Sequence, residues 1–312
     1  MEVVVAGVTS ACLIGGNARV GLPACICAGL SCGTVQVWGE DPSSPLMASL
    51  MSPRPAAVLA IDSVSVRDVD PMVVAGDSQG QVALFRLRNN PDDPFIKFRQ
   101  RKIHQDAISA IRINQFEPTK FVCASENGNV AMIIMDSDRD TDMFNVGDSV
   151  NDLLYVNNSD ICVAGESGLG IWDSRCVQQS FKSGFPCDSL AIHSSRPYQV
   201  ACGGCNGSIK IFDRRNERFV CTIEEAHSGQ IAQLEFNPDQ PDWIFSTSDD
   251  GSVKYHNLSG ETSIVIAQHT SLGYRSLDCC YDDIVGPLLM FGCEDESFVV
   301  KPIYELVGQN KV

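Results

Sequence analysis

Residues 199–213 read QVACGGCNGSIKIFD, two short apolar runs joined by a polar turn that contains glycine. A β-rich run on each side of such a turn predicts an antiparallel β-hairpin. The same pattern recurs along the whole chain, each time with an apolar run before the turn and an alternating run after it. The seven copies are anchored at Gly33, Gly80, Gly128, Gly168, Gly207, Gly251 and Glu296.

The spacing of these copies predicts the architecture. Successive anchors lie 39 to 48 residues apart, which matches the ~40–45-residue period of a four-stranded propeller blade. A hairpin alone cannot bury both of its faces, whereas hairpins stacked in a ring cover one another and leave only short edges. No long amphipathic helix interrupts the pattern. We therefore expect an all-β fold, a single seven-bladed β-propeller domain over residues 1–312.

The last copy lacks an outer strand of its own. After the run from Ser297 to Lys301, the residues from Pro302 to Val312 are too few and too irregular to supply one. The β-rich run from Glu2 to Val8 has no hairpin partner at its own end of the chain. The sequence therefore predicts that this N-terminal run pairs with the last blade and closes the ring.

Composition excludes several classes of protein. The chain has 23 Lys and Arg against 39 Asp and Glu, a formal net charge of −16, and no long basic block. Because such a charge repels phosphate, direct DNA or RNA binding is not expected.

Most of the 14 cysteines stand singly in apolar runs, as buried thiols do in a reducing compartment. No basic signal-peptide start and no apolar stretch of bilayer length is present, so a soluble, intracellular protein without membrane insertion is expected.

The ends of several copies carry a family resemblance. Trp172-Asp173 and Phe212-Asp213 end their strands, and His104 and His227 precede the first strand of their copies. With Trp38 at the end of the first copy, this pattern resembles the WD40-repeat family over essentially the whole chain. In that family a His, a strand Ser or Thr, a turn Asp and a terminal Trp form a buried hydrogen-bonded set.

The sixth copy is the most complete, although its end departs from the family pattern. It offers His227 and then two alternatives at each of the next two positions, with Tyr255-His256 at its end in place of Trp-Asp. The alternatives are Ser246 or Thr247 for the strand hydroxyl and Asp249 or Asp250 for the turn carboxylate. The resemblance implies that one of each pair belongs to the buried set.

A narrower resemblance lies in the last third of the chain. The segments AHSGQIAQLEFNP (226–238), PDWIFSTSDDGSV (241–253) and FGCED (291–295) resemble the small WD-repeat nucleoporins. That resemblance implies a non-enzymatic scaffold subunit of the Y-shaped outer-ring complex of the nuclear pore, which supports pore assembly and the transport of mRNA and protein. It implies a helical-solenoid scaffold nucleoporin and other subunits of that complex as partners. It also implies a nuclear location at the nuclear envelope, with the kinetochore as a second location in mitosis.

A different role is also compatible with the repeat ends. Trp172-Asp-Ser-Arg175 and Phe212-Asp-Arg-Arg215 resemble the WDxR ends of propellers that act as substrate receptors of cullin-type ubiquitin ligases. The same residues suit a purely structural Asp–Arg contact equally well. The sequence leaves both interpretations open.

No motif in the chain points to catalysis or to a bound cofactor. P-loop and HExxH patterns are absent, and the five histidines stand near strand ends, where structural roles are expected. Cys202 and Cys205 form a CxxC pair, but no second pair is spaced to complete a structural zinc site. We therefore expect no catalytic residue, no metal and no cofactor.

Two local charge clusters are candidate surfaces. Arg99, Arg101 and Lys102 form the only compact basic cluster, and their position before His104 predicts a loop that leads into the third blade. A basic cluster on the surface of an acidic protein favours docking of a partner, although a role in solubility alone also explains the cluster. The acidic residues between Asp136 and Asp142 predict a solvated loop.

Overall fold

The computed structural model describes residues 2–4, 7–16, 22–39, 46–51, 56–65, 70–88, 95–135, 142–259, 262–295 and 297–308. These residues form seven four-stranded antiparallel sheets, which we number as blades 1 to 7 along the chain. Each predicted hairpin supplies the second and third strands of one blade. The all-β, seven-bladed propeller expected from the sequence is therefore confirmed.

The strands of blades 1 to 3 are β2 (Val8–Ile14), β3 (Cys25–Leu30), β4 (Thr34–Gly39), β5 (Leu46–Met51), β6 (Val58–Val64), β7 (Met72–Asp77), β8 (Gln81–Leu87), β9 (Phe95–Lys102), β10 (Ile108–Ile113), β11 (Lys120–Ser125), β12 (Asn129–Ile134) and β13 (Asp142–Asn145). Those of blades 4 and 5 are β14 (Asp152–Tyr155), β15 (Asp160–Gly165), β16 (Gly168–Asp173), β17 (Gln178–Lys182), β18 (Ser189–Ile192), β19 (Gln199–Gly203), β20 (Ile209–Asp213) and β21 (Arg218–Ile223). Those of blades 6 and 7 are β22 (Ile231–Asn237), β23 (Gln240–Ser248), β24 (Ser252–Asn257), β25 (Ser263–Gln268), β26 (Tyr274–Asp282), β27 (Gly286–Cys293), β28 (Ser297–Pro302) and β1 (Glu2–Val4).

The first strands of the blades line a central channel. Each inner strand contacts the inner strand of the next blade, in the order β2, β6, β10, β14, β18, β22 and β26, and β26 contacts β2. We call the end at which these strands begin the upper face and the end at which they finish the lower face. Because the sheets are antiparallel, the turns between second and third strands lie at the upper face, whereas those between first and second strands lie at the lower face.

The N-terminal strand closes the ring, as the sequence predicts. β1 pairs antiparallel with β28, with Glu2 opposite Val299 and Val4 opposite Ser297. The predicted extent of the strand is wrong at its far end, because Val8 belongs to β2, the inner strand of blade 1. The chain must turn after β1 to enter the next sheet, so one continuous strand cannot serve both blades.

The described C-terminal residues form the short helix α1 (Ile303–Gly308) after β28. Its first residue, Ile303, is buried and packs with Phe291 and Tyr255 in the cluster between blades 6 and 7. Within the described part of the chain, no helix combines the length and the apolar character that a membrane span requires.

The apolar core is divided into seven clusters, one between each pair of neighbouring blades. Successive side chains of a strand point to opposite faces of its sheet, and each face meets a different blade. On β7, for example, Val73 packs in the cluster with blade 1 and Val74 in the cluster with blade 3. This arrangement explains why the second strand of each blade is an almost unbroken apolar run.

The glycine anchors are required by turn geometry. Gly207 has a φ of 76°, in the left-handed region that favours glycine. A Cβ at this position would lie 2.1 Å from the carbonyl oxygen of His227. The turn therefore needs glycine both for its dihedral angle and for the close approach of the loop that leads into blade 6.

Candidate functional site

The most extensive polar network outside the channel lies inside blade 6. His227 Nε2 is 2.7 Å from Ser246 Oγ, and the same hydroxyl is 2.7 Å from His256 Nε2. On the other side of the ring, His227 Nδ1 is 3.1 Å from Asp250 Oδ2 and 2.9 Å from Ser252 Oγ. The imidazole of His256 therefore takes the place of the terminal Trp of the family pattern. Its Nε2 forms the hydrogen bond with the Ser246 hydroxyl that an indole N–H would donate.

Burial makes this network a neutral-histidine site. It lowers the pKa of His227 to about 4, although the Asp250 carboxylate partly opposes the shift. The pKa of His256 falls to about 3, first through burial and then through the neighbouring His227. Burial raises the pKa of Asp250, but hydrogen bonds from Ser252 and the nearby imidazole outweigh it and bring the value to about 2. The set thus holds one carboxylate and two uncharged rings, an arrangement that stabilises the blade.

The structure selects between the alternatives that the sequence left open. Ser246 joins the network, whereas the hydroxyl of Thr247 is buried without a described hydrogen-bond partner. Asp250 binds His227, whereas Asp249 is partly exposed and lies 3.6 Å from an Arg275 guanidinium nitrogen. Ser246 and Thr247 are consecutive on β23, and Asp249 and Asp250 are consecutive in the turn that follows. Consecutive side chains point in different directions, so only one member of each pair reaches the imidazole of His227.

The corresponding set in blade 3 is incomplete. His104 is buried, and its Nε2 lies 3.4 Å from Cys123 Sγ, where blade 6 has a serine. Its Nδ1 has no described hydrogen-bond partner, and burial lowers the pKa of the ring. His104 therefore keeps the place of the family histidine with only part of its hydrogen bonding.

The aromatic strand ends act mainly through packing. The Trp172 ring packs against that of Phe144, with centroids 5.0 Å apart and the planes tilted by 35°, in the cluster between blades 3 and 4. Phe212 is fully buried and its ring centroid lies 4.4 Å from that of Phe181. Trp38 packs between blades 7 and 1, and its indole nitrogen has no described hydrogen-bond partner. These three residues are anchors of the core.

Both WDxR-like ends form internal Asp–Arg pairs. Arg175 binds Asp173 through Nε at 3.0 Å and a terminal nitrogen at 2.6 Å. Arg215 binds Asp213 in the same bidentate way, at 3.1 and 2.6 Å, and its guanidinium lies 3.6 Å from the Tyr198 ring centroid. The structural interpretation accounts for both arginines, and nothing in this geometry favours a ligase-receptor role.

The basic cluster does not lie in a connecting loop, so that prediction is wrong. Arg99, Arg101 and Lys102 belong to β9, the outer strand of blade 2. The side chain of Arg99 donates a 2.6 Å hydrogen bond to the backbone oxygen of Met135 in blade 3. The run remains extended because it pairs with β8, where Arg101 lies opposite Val82. Of the acidic run, residues 136–141 lie outside the described part of the chain, and Asp142 begins β13.

The channel contains an ionisable cluster that sequence reasoning missed. A cavity of about 350 Å³ on the axis is lined by Asp62, Arg112, Asp152, Glu235 and Asp278. Arg112 lies 3.4 Å from Asp152, and the attraction of that carboxylate raises the pKa of the guanidinium. Four acidic side chains thus surround one arginine.

Three of these carboxylates tie one blade to the next. Each accepts a hydrogen bond from a backbone N–H of the following inner strand, at 2.6 to 2.9 Å. The pairs are Asp62 with Ile113, Asp152 with Leu190, and Asp278 with Leu13. Glu235 has no hydrogen bond to a described residue, and burial followed by repulsion from Asp278 raises its pKa well above the ordinary range. Burial likewise raises the pKa of Asp278 to about 7.

A sequence signal for this cluster exists. Asp62, Arg112, Glu235 and Asp278 all stand four positions after the first residue of their inner strands. Because residues at equal depth in neighbouring inner strands meet across the axis, aligning the first strands would have placed these charges together.

At the upper face the channel opens into a wider cavity of about 590 Å³. Its lining includes the carboxylates of Glu126, Asp188 and Asp249 and the guanidinium of Arg275. That guanidinium is itself bound by Glu294 at 2.6 Å. The mouth is therefore acidic, which opposes the approach of phosphate groups.

Two groups of possible metal ligands lie among the described residues. Cys202 is buried and Cys205 is exposed, so the two thiols of the CxxC pair lie in different environments. His269, Cys293 and Asp295 place one ligand atom each within 4.8 Å of one another. His269 Nδ1 accepts hydrogen bonds from the backbone of Ser271 and Leu272, which leaves the ring proton on Nε2.

The contact of Ser246, His227 and Asp250 has the residue types of a catalytic triad, but Ser246 is fully buried, so its hydroxyl is not accessible to a substrate. His193 hydrogen-bonds the Pro238 backbone oxygen at 3.0 Å, and its other nitrogen accepts from Ser195. In the described parts of the chain, each histidine contacts groups of its own blade or of a neighbouring one. The arrangement is suited to holding a rigid shape.

Comparison with known proteins agrees with this geometry. A family model described as WD domain, G-beta repeat matches residues 218–257, which run from β21 to the end of β24. The Dictyostelium discoideum "Nuclear pore complex protein nup43" is 28% identical over 120 residues, covering 36% of this chain and 28% of that protein. The Mus musculus "Nucleoporin Nup43" is 25% identical over 155 residues, covering 45% and 40%. The Arabidopsis thaliana "WD repeat-containing protein GTS1" is 26% identical over 133 residues, covering 36% and 31%.

The matched part of the chain thus spans about 28–40% of the length of these relatives. The propeller fold and the relatives' names point to a scaffold without catalytic activity, and two of those names are nucleoporins. The chain is a seven-bladed β-propeller that matches the WD domain, G-beta repeat over residues 218–257 and is similar, at distant identity, to the nucleoporin Nup43.

Proposed function

We propose that this chain is a non-enzymatic scaffold nucleoporin, a propeller subunit of the Y-shaped outer-ring complex of the nuclear pore. In that role it supports pore assembly and the transport of mRNA and protein. The observation that carries the proposal is the similarity to Nup43 from two distant organisms. The location that goes with it is the nuclear envelope, and in mitosis the kinetochore.

The geometry supports binding more than chemistry. Two groups with strongly shifted pKa values, His227 and Asp278, are held in contacts that stabilise the ring, with Ser246 and with Leu13. A ring of seven tightly packed blades presents loops and strand edges that need little ordering when a partner binds. A helical-solenoid scaffold subunit is a partner that such a surface suits.

The outer strand of blade 2 offers one charged contact for this partner. Lys102 is exposed and Arg101 is half-buried on β9. Arg99 is engaged with Met135 and is better regarded as part of the join between blades 2 and 3. A partner that meets this strand would carry carboxylates at the contact.

The proposal is tested by tagging the chain at its own locus. Imaging should show a rim at the nuclear envelope, and purification from nuclear-envelope extract should recover the solenoid subunit and other outer-ring subunits in stoichiometric amounts. Recovery of a cullin adaptor in place of pore subunits, with no nuclear rim, would contradict the proposal.

A charge-reversal pair locates the contact. In the variant Arg101→Glu/Lys102→Glu, we expect reduced recovery of the solenoid subunit at an unchanged melting temperature, because exposed charges contribute little to folding. The matched control is Lys182→Glu/Arg218→Glu, which reverses two exposed charges on the outer strands of blades 4 and 5. Equal recovery with both variants would show that β9 is not the contact.

A further inference from the structure

The turn between β26 and β27 presents apolar side chains to solvent at the lower face of blade 7. Ile284 is 84% exposed, Tyr281 61% and Val285 36%. Large apolar side chains on a soluble protein are usually at least half covered, and a group of them at one place marks an interaction site. We call this group the blade 7 tip.

The blade 7 tip is held in a fixed shape. Asp282 is buried, and one of its carboxylate oxygens accepts hydrogen bonds from the backbone nitrogens of Ile284 and Val285, both at 2.8 Å. The other oxygen accepts from the backbone nitrogen of Gly16 in blade 1, at 3.1 Å. A buried carboxylate thus fixes the turn against the neighbouring blade, so presenting Ile284 to a partner costs little conformational entropy.

A second exposed aromatic residue lies at the same end of the blade. Pro302, the last residue of β28, pairs with Leu288, two residues along β27 from Gly286 at the turn. Helix α1 therefore begins at the lower face beside the tip, and its Tyr304 is 61% exposed. Tyrosine is among the residues that contribute most to binding at protein interfaces.

Charge indicates what kind of surface covers this patch. The exposed carboxylates of Asp283 and Glu305 lie at the lower face of blade 7, together with one exposed ammonium group, that of Lys301. The chain as a whole has a net charge of −16. A second copy of the chain would bring like charges together, which disfavours self-association. A partner with basic residues around an apolar contact is complementary.

We propose that the blade 7 tip inserts into an apolar groove between two helices of the solenoid partner, with Lys or Arg side chains of that partner at the rim of the groove. A projecting, rigid turn fits a groove, and adjacent helices of a solenoid form such grooves along their surface. This inference rests on the proposed function, since it adds a second contact with the solenoid subunit, at the lower face of blade 7, to the charged contact on β9.

The test uses the full chain and the purified solenoid subunit. In the variant Tyr281→Ser/Ile284→Ser, the affinity should fall by about ten-fold or more, as expected for loss of two central anchors. The matched control Val220→Ser/Val265→Ser removes two exposed apolar side chains from the outer strands of blades 5 and 6, and it should bind as the wild type does. Thermal melting of both variants should match that of the wild type, because the replaced side chains are exposed.

The charge argument is tested separately. The variant Asp283→Lys/Glu305→Lys should also weaken binding, and added salt should weaken the wild-type complex but have less effect on this variant. Hydrogen exchange should show protection of residues 281–285 and 303–308 in the complex.

The outcomes separate the inference from the proposed function. If the wild type does not bind the solenoid subunit at all, the proposed function fails and the inference fails with it. If the wild type binds and the tip variant binds equally well, the proposed function stands and the inference is overturned. If light scattering shows a wild-type dimer that the tip variant abolishes, the occupant of the patch is a second copy and the inference is overturned.

Discussion

A carboxylate oxygen of Asp278 lies 2.6 Å from the backbone nitrogen of Leu13, which joins the last blade to the first at the wall of the channel. The residues are on β26 and β2, the inner strands that meet where the ring closes. The pairing of β1 with β28 connects the N-terminal strand to the last blade at the outer rim of the ring. The propeller is thus closed at both its inner and outer circumference.

The acidity of the channel predicts how stability changes with pH. The pKa of Asp278 in the folded protein is about 7, against an ordinary value of 3.8. Since the folded state holds this proton more tightly than the unfolded chain, the contribution of Asp278 is largest below pH 4 and is lost as the pH rises through about 7. Glu235, whose pKa is also raised, acts in the same direction.

Neutralising Glu235 should therefore stabilise the protein at high pH. We expect Glu235→Gln to raise the free energy of unfolding at pH 8 by about 1 kcal/mol, because it removes a half-buried carboxylate beside Asp278 whose raised pKa opposes folding once it ionises. The gain should shrink towards pH 5. Urea unfolding at pH 5, 6, 7 and 8 measures it, with the exposed Glu305→Gln as control; an equal gain at every pH would contradict the assignment.

The closing hydrogen bond gives a second prediction in the channel. Asp278→Ala leaves the buried Leu13 nitrogen without an acceptor and should destabilise the protein by about 1–3 kcal/mol. Asp278→Asn keeps an oxygen acceptor and removes the charge, so at pH 8 it should be at least as stable as the wild type. Chemical denaturation of the two variants decides the point, and equal stabilities would show that the bond to Leu13 contributes little.

Removal of β1 should open the outer join. Deleting residues 1–5 leaves β28 as an unpaired edge, and we expect a lower melting temperature together with concentration-dependent aggregation. The deletion stops before Val8, because Val8 already belongs to the inner strand of blade 1. Light scattering and melting curves, with Val3→Pro as a point variant, test the closure; a monomer with unchanged melting would contradict it.

The two neighbouring carboxylates of the blade 6 turn should differ sharply. Asp250→Asn weakens the bonds to His227 and Ser252 inside the blade, and we expect a loss of about 1–3 kcal/mol. Asp249→Asn alters a partly exposed contact with Arg275 and should change stability by less than about 0.5 kcal/mol. Thermal melting of the pair provides its own control, and the reverse order would show that Asp249 belongs to the buried set.

The buried histidines predict loss of stability in acid. The pKa of His227 is about 4 and that of His256 about 3, against an ordinary 6.5. Below pH 6.5 the unfolded chain takes up protons that the folded blade excludes, so stability falls as the pH decreases towards these values. In His256→Gln, the decrease between pH 6 and pH 4 should be shallower than in the wild type. Parallel denaturation curves for the two proteins would contradict this role.

What the sequence determined by itself was the set of local elements. The alternation on either side of turns such as Gly207 predicted the hairpins, and their period predicted seven blades, because the residues of a hairpin are neighbours along the chain. The family pattern also placed His227 ahead of the first strand of its blade and the aromatic anchors Trp172 and Phe212 near the ends of their third strands. These signals are repeated in each copy, so departures in single copies did not hide them.

What only the tertiary structure decided were contacts between residues that are not neighbours along the chain. The choice of Asp250 over Asp249, the extended position of Arg101 in β9, and the meeting of Glu235 with Asp278 depend on which side chains face inward once the sheets twist and pack. A local pattern assigns residues to a strand, but the direction of a side chain relative to the channel or to the next blade is set by the stacking of the sheets around the axis. The equal depth of the channel charges in their strands can be read from the sequence, but only the closed ring decided that these positions face the axis.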